Sequence, residues 1–262
     1  MGVTEVRRVG QMAQPMEDEF GTMARWTVEA VRALSPAHAV PAACRGSGTP
    51  AALDWLLERL DVSPTTRLLD VGAGLGGPTA YARGRMALRS LCVDPMPAAC
   101  EGARSLLGLP AVVGDAGRLP LADGAFDAAW SLGTLCTTEH KSRWLGELRR
   151  VVRDDAPVAL LVLVGTPAAF ATPWGNHFPS DEELVDLVVR AGFAITDRTW
   201  SAELPDADER WQSLEREVDE AVARCHGRDD RFVRVTEQEQ VLGRLLDAGR
   251  IRGRLIVARA RA

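Results

Sequence analysis

The chain has 262 residues, 46% of them hydrophobic and 26% charged, with a formal net charge of −5. That is enough apolar material for one full α/β core with a smaller cap, and it excludes a disordered chain. The acidic balance argues against a broad basic surface for nucleic acid, and no apolar run approaches the ~20 residues that span a bilayer.

Met1 to Gln14 has no apolar signal core, so a cytoplasmic location is expected. Phe20, Met23, Thr27, Ala30, Val31 and Leu34 form one helical stripe. Pro36 to Pro50 reads as a loop carrying Arg45-Gly46-Ser47-Gly48, ahead of a second helix over Ala51 to Leu60. Arg67 to Val71 is an apolar strand that breaks into Gly72-Ala73-Gly74-Leu75-Gly76-Gly77-Pro78. Glycines at alternate positions remove the Cβ atoms that would keep a ligand off the backbone. Pro78 suits the start of a helix, where its missing N–H is not needed.

Further strands follow over Leu88 to Val93, Ala111 to Val113, Phe126 to Ser131 and Val158 to Val164. The runs between them are long enough for crossover helices, so a doubly wound parallel sheet is expected. A helix is expected from Lys141 to Val152, and a capping box at Ser180 and Glu183 starts the next. Arg190 and Gly192 close that helix before Phe193 to Thr196 opens a sixth strand. Trp211, Leu214, Val218, Val222 and Cys225 make one later helical face, and Val241, Leu242, Leu245 and Leu246 make another. Ile251 to Ala258 reads as a final strand. The expected organisation is an N-terminal helical cap or lid over 1–60, a core over 61–200, a helical insertion over 201–250 and a last core strand over 251–262.

Five cysteines, Cys44, Cys92, Cys100, Cys136 and Cys225, are scattered without a C-x-x-C pair or a histidine at zinc-ligand spacing. They are expected to be buried thiols, with no metal site. The glycines fit two patterns: Gly72, Gly74 and Gly77 match G-x-G-x-x-G of dinucleotide binding, and Gly72, Gly74 and Gly76 match G-x-G-x-G. Asp94-Pro95-Met96 after the second strand suits the ribose in either pattern, whereas Asp70 directly before the glycines, Gly114-Asp115-Ala116 after the third strand and Phe126-Asp127 opening the fourth favour the second.

This order of motifs, from about Asp61 to Phe193, resembles class I S-adenosylmethionine (SAM) methyltransferases, and in particular their small-molecule, type 11-like members. The resemblance implies a seven-stranded Rossmann-like sheet, mostly parallel with an antiparallel last strand. It places Asp70, Gly72, Ala73, Gly74, Leu75 and Gly76 at the methionyl part of SAM. Asp94, Pro95 and Met96 fall at the ribose, Asp115 and Ala116 at the adenine, and Ser131 and Leu132 along the cofactor. Arg45 is either a partner of the methionine carboxylate or a solvated arginine in a surface turn.

The histidine pair that several small-molecule relatives place after the fourth strand is replaced here by Cys136 and Thr137. Cys136 is expected to be a packing residue. The remaining base candidates are His177, which is preferred, His140 and Glu139, with Trp174 and Phe178 as walls of an enclosed site. The expected partners are a small-molecule substrate and, at most, a second copy of the chain. The alternatives are an NAD(P)-dependent oxidoreductase and a non-catalytic SAM-binding protein.

Overall fold

The computed structural model describes residues 17–165 and 176–262. Strands β1 (Arg67–Val71), β2 (Arg89–Asp94), β3 (Ala111–Val113), β4 (Ala128–Leu132) and β5 (Pro157–Gly165) pair in parallel. Strand β7 (Ile251–Ala260) runs antiparallel between β5 and β6 (Phe193–Trp200), giving the order β3-β2-β1-β4-β5-β7-β6. The seven-stranded sheet with one antiparallel strand is the expected one. Phe126 forms only an isolated bridge to Val152, so the fourth strand starts two residues later than the sequence suggests.

The period-2 alternation of the strands sorts the core into two layers. Leu68, Ala128, Trp130, Ala159 and Leu161 pack with Leu53, Leu56 and Leu60 of α3 (Pro50–Leu60) and Ala82 of α4 (Gly77–Arg85). Leu69, Ala129, Val158 and Leu160 face the other way, onto Leu145 and Leu148 of α6 (Lys141–Val151) and Leu184 and Val188 of α7 (Asp181–Arg190). Between α4 and α6 in the chain, α5 (Pro97–Leu107) covers β2 through Cys100 and Ala103. Helix α7 carries the expected capping box, with Ser180 and Glu183 satisfying each other's backbone N–H groups, and Gly192 follows it at φ +90°.

The remaining helices form a cover that packs on the glycine loop and on α5. Helix α1 (Thr22–Leu34) packs Trp26, Ala30 and Val31 against Val218, Ala221 and Val222 of α8 (Glu209–His226). The other side of α1, through Ala24 and Val28, meets Leu75 of the glycine loop and Ala99 of α5. Burial on two sides explains why the simple stripe fails at its ends: Phe20 and Leu34 are exposed, whereas Trp26 and Val28 are buried. The segment expected as a loop before α3 contains a 3-10 turn at Pro36–His38 and a short helix, α2 (Ala39–Ala43). Helix α9 (Asp230–Asp247) completes the insertion between β6 and β7. Cys44, Cys92, Cys100 and Cys136 are buried as expected, but Cys225 is exposed because it sits beyond the buried face of α8. Among the described residues, no helix is long and apolar enough to cross a membrane.

Candidate functional site

The loop after β1 lies at the carboxyl edge of the sheet. Gly72, Gly74 and Gly76 all have positive φ, at +74°, +54° and +78°, while Gly77 does not. A side chain in that conformation costs ~1–2 kcal/mol, so these three positions require glycine and the G-x-G-x-G spacing is the one the backbone uses. The lack of a Cβ serves a different end at each. At Gly72 it would strike Thr134, and at Gly76 it would lie 2.5 Å from Leu109 Cδ1. At Gly74 it would meet nothing within 4 Å, so this residue presents open space to a ligand. Gly77 is small for another reason: a Cβ there would lie 2.2 Å from the Ala43 carbonyl carbon, where α2 rests on the start of α4.

Two carboxylates hold this loop. Asp94, 3% exposed at the end of β2, accepts N–H bonds from Gly74 (2.8 Å, at Oδ2) and Met96 (2.9 Å, at Oδ1). Asp70, 2% exposed, lies beneath the loop, where it accepts a 2.7 Å hydrogen bond from the Thr79 hydroxyl of α4. Burial raises its pKa to about 6, against the opposing effect of Thr79 and the Trp130 indole. Asp70 is thus a support of the loop, and its partner Thr79 was missed from sequence. The nine-residue separation across a glycine turn carries no periodic signal.

Asp115 is exposed beyond β3, and its Oδ1 accepts the Gly117 N–H at 2.7 Å, which fixes the carboxylate's direction; Ala116 is buried beside it. Leu75 and Met96 pack together with Ala99 under α1, and Leu132 is buried at the end of β4. Ser131 is 1% exposed and spends its hydroxyl on Thr134 at 2.8 Å. It therefore acts through Thr134, which packs on Gly72. The Arg45 guanidinium is paired with Asp219 of α8 and, at 3.3 Å, with Glu239 of α9. Neither alternative for Arg45 anticipated this, because the partners lie far along the chain.

The base candidates divide. His177 Nε2 lies 3.6 Å from Glu139 Oε1, and the His177 N–H donates to the Cys136 carbonyl at 2.6 Å, so the segments after β4 and β5 are joined. Both side chains line a groove of about 510 Å³ with Lys141, Phe178, Pro179, Glu183, Asp186 and Leu187. Lys141, only 7% exposed, donates to the Thr138 carbonyl at 2.5 Å, and burial lowers its pKa. His140 is exposed at the start of α6 and does not line this groove. Trp174 lies outside the described residues. The Cys136 thiol is buried and its pKa is raised by that burial, which suits packing and not nucleophilic attack. Among the described residues, no group of three or more His, Cys, Asp or Glu side chains is placed to hold a metal ion.

Residues 69–160 match the family described as "Methyltransferase domain". The methyltransferase GfsG of Streptomyces halstedii is 32% identical over 128 residues, covering 45% of this chain and 46% of the relative. The matches to the first three curated relatives span 19%, 46% and 59% of their lengths. Among solved structures, the [4+2]-cyclase SpnF superposes with a TM-score of 0.64 at 24% identity, over 80% of each chain. A geranyl diphosphate C-methyltransferase from Streptomyces coelicolor A3(2), solved with S-adenosyl-L-homocysteine, has a TM-score of 0.59 at 14% identity, covering 80% of this chain and 77% of that one. With the strand order, the left-handed glycines and the two acid-bearing strand ends already in place, residues 69–160 are similar to a methyltransferase domain, and the sheet has the Rossmann-like fold of the SAM-dependent methyltransferases of known structure.

Proposed function

We propose that this protein transfers the methyl group of SAM to an O, N or C nucleophile of a small organic molecule. The observation that carries the reading is the pairing of an open, left-handed Gly74 with the buried Asp94 carboxylate, which is bonded to that glycine's own N–H. An adenosine ligand has two ribose hydroxyls to offer such a carboxylate, and its amino-acid tail needs bare main chain. Asp115 then suits the adenine amino group, and Leu75, Met96 and Leu132 supply apolar contact. The NAD(P) alternative is weaker, because Gly77, the glycine it requires, is used to seat α2.

The sulfonium of bound SAM supplies a methyl that is already electrophilic. The chain's residues have only to align the acceptor, exclude water and, for an acceptor that must lose a proton, take it up. His177 is the group we assign to that proton, with Glu139 Oε1 3.6 Å from its Nε2. The groove beside them, with Phe178 and Leu187, is the assigned acceptor wall, and a small secondary metabolite is the class we assign to it, geranyl diphosphate being the acceptor printed for one structural neighbour. We place the protein in the cytoplasm.

Thermal shift with SAM, S-adenosylhomocysteine and NADH tests the cofactor: stabilisation by the first two alone is expected, and stabilisation by NADH alone overturns the reading. Transfer of label from methyl-labelled SAM into a metabolite extract then tests the reaction. Binding without transfer of label points to a protein that uses the cofactor without moving its methyl.

A further inference from the structure

The segment before α3 approaches the glycine loop and the end of β4 through backbone, and its Arg45 side chain reaches the helical insertion. Gly133, at the end of β4 with φ +79°, lets the Gly46 carbonyl oxygen come within 2.1 Å of where a Cβ would stand. Gly77 admits the end of α2 in the same way. Residues 43–46 are thus seated on both sides of the glycine loop, and the Ser47 N–H closes the turn on the Cys44 carbonyl at 2.8 Å. From this turn the Arg45 side chain runs outward to Asp219 and Glu239, the latter 194 positions later in the chain. Glu215 of α8 also feels the Arg45 charge, which opposes the upward pull of burial on its carboxyl.

We propose that Arg45 is a positioning residue that clasps α8 and α9, so that the helical insertion holds the 45–48 turn shut over the amino-acid end of the cofactor and sets how fast cofactor leaves. The inference rests on the SAM reading of the site. A direct pairing of Arg45 with the methionine carboxylate would require the guanidinium to abandon two carboxylates that already hold it. Because the pairs are about half exposed, the clasp is weak enough to open in each catalytic cycle and is sensitive to salt.

The test is stopped-flow release of S-adenosylhomocysteine, read beside hydrogen exchange of residues 44–49 in the ligand-free protein. Arg45→Gln and the double variant Asp219→Asn/Glu239→Gln should each speed release about two- to tenfold and raise exchange at the Ser47 N–H. The three changes together should do no more than either set alone. The swap Arg45→Asp with Asp219→Arg should recover most of the slow release, and added salt should speed wild type but not Arg45→Gln. Release that changes only in Arg45→Gln overturns the clasp in favour of direct pairing, and release that changes in none overturns it outright. Should the wild type bind no S-adenosylhomocysteine, the cofactor reading fails. Exchange alone then decides whether Arg45 holds the turn, unchanged protection in Arg45→Gln rejecting it.

Discussion

The floor of the site and its cover are built on opposite principles. The floor holds Asp70, Thr79 and Asp94 in nearly complete burial and binds them to backbone or hydroxyl within one supersecondary unit. The cover joins segments from the two ends of the chain, through ion pairs with at least one exposed partner and through a ring stack. His38 bonds Glu217 at 2.9 Å, Arg234 pairs with Glu19 at 3.3 Å, and the rings of Trp26 and His226 stack at 4.2 Å. Buried polar groups cost too much to leave unpaired, so the floor has a single arrangement. Exposed ion pairs are worth ~0–1 kcal/mol each, so those within the cover fix its two segments to each other far less firmly.

The contrast is broken most severely at the groove. Replacing His177 by Ala should lower turnover about 100-fold if it takes the acceptor's proton, while S-adenosylhomocysteine affinity, a property of the floor, stays within a factor of two or so. Steady-state kinetics beside calorimetry checks this, and normal turnover removes His177 from the mechanism. Next comes the floor itself. Asp94→Asn turns one oxygen into a donor facing a backbone N–H, at about 3 kcal/mol, so cofactor affinity should fall about 100-fold by calorimetry.

The same division decides what could be read from the sequence. The strands, the glycine loop and the acids at the ends of β2 and β3 are local patterns, each set by alternation, by φ or by a strand end, and they stand close to where they are expected, β4 starting two residues late and β6 running four residues longer. The β6–β7 insertion was legible as helices because Val218 and Val222 repeat at helical spacing. The destinations of its side chains were not. Arg45 finds its partners almost two hundred residues away, and the Thr79 hydroxyl that bonds Asp70 Oδ2 carries no periodic signal. Helix α1 misleads for a related reason, since burial against both insertion and loop leaves no single stripe.

The burial of Asp70 makes the floor sensitive to pH in an unusual direction. Its folded pKa of about 6 lies above the ordinary value of 3.8, so folding favours the protonated acid. That stability is fully present below pH 3.8 and is lost as pH rises through about 6. The interval corresponds to at most ~3 kcal/mol. Asp70→Asn keeps an acceptor for Thr79 and removes the titration. It should therefore raise the melting temperature at pH 8 relative to wild type, with the gap shrinking toward pH 4. A gap independent of pH would show that Asp70 is ionised without penalty, and that the floor is wetter than its burial implies.

The smallest effect separates fold from ligand within a single loop. Gly74→Ala and Gly76→Ala both force a side chain into a left-handed backbone, at ~1 kcal/mol each. Gly76→Ala adds a collision with Leu109, in the layer beneath the loop, and should lower the melting temperature by several degrees more. Gly74→Ala adds no collision within the protein, so its further cost should appear only when cofactor is present, as lost affinity. Equal melting temperatures with equal loss of affinity would mean that the loop responds as one strained unit. A larger affinity loss at Gly74, with a larger stability loss at Gly76, is what a loop with one face toward ligand and one toward the core must give.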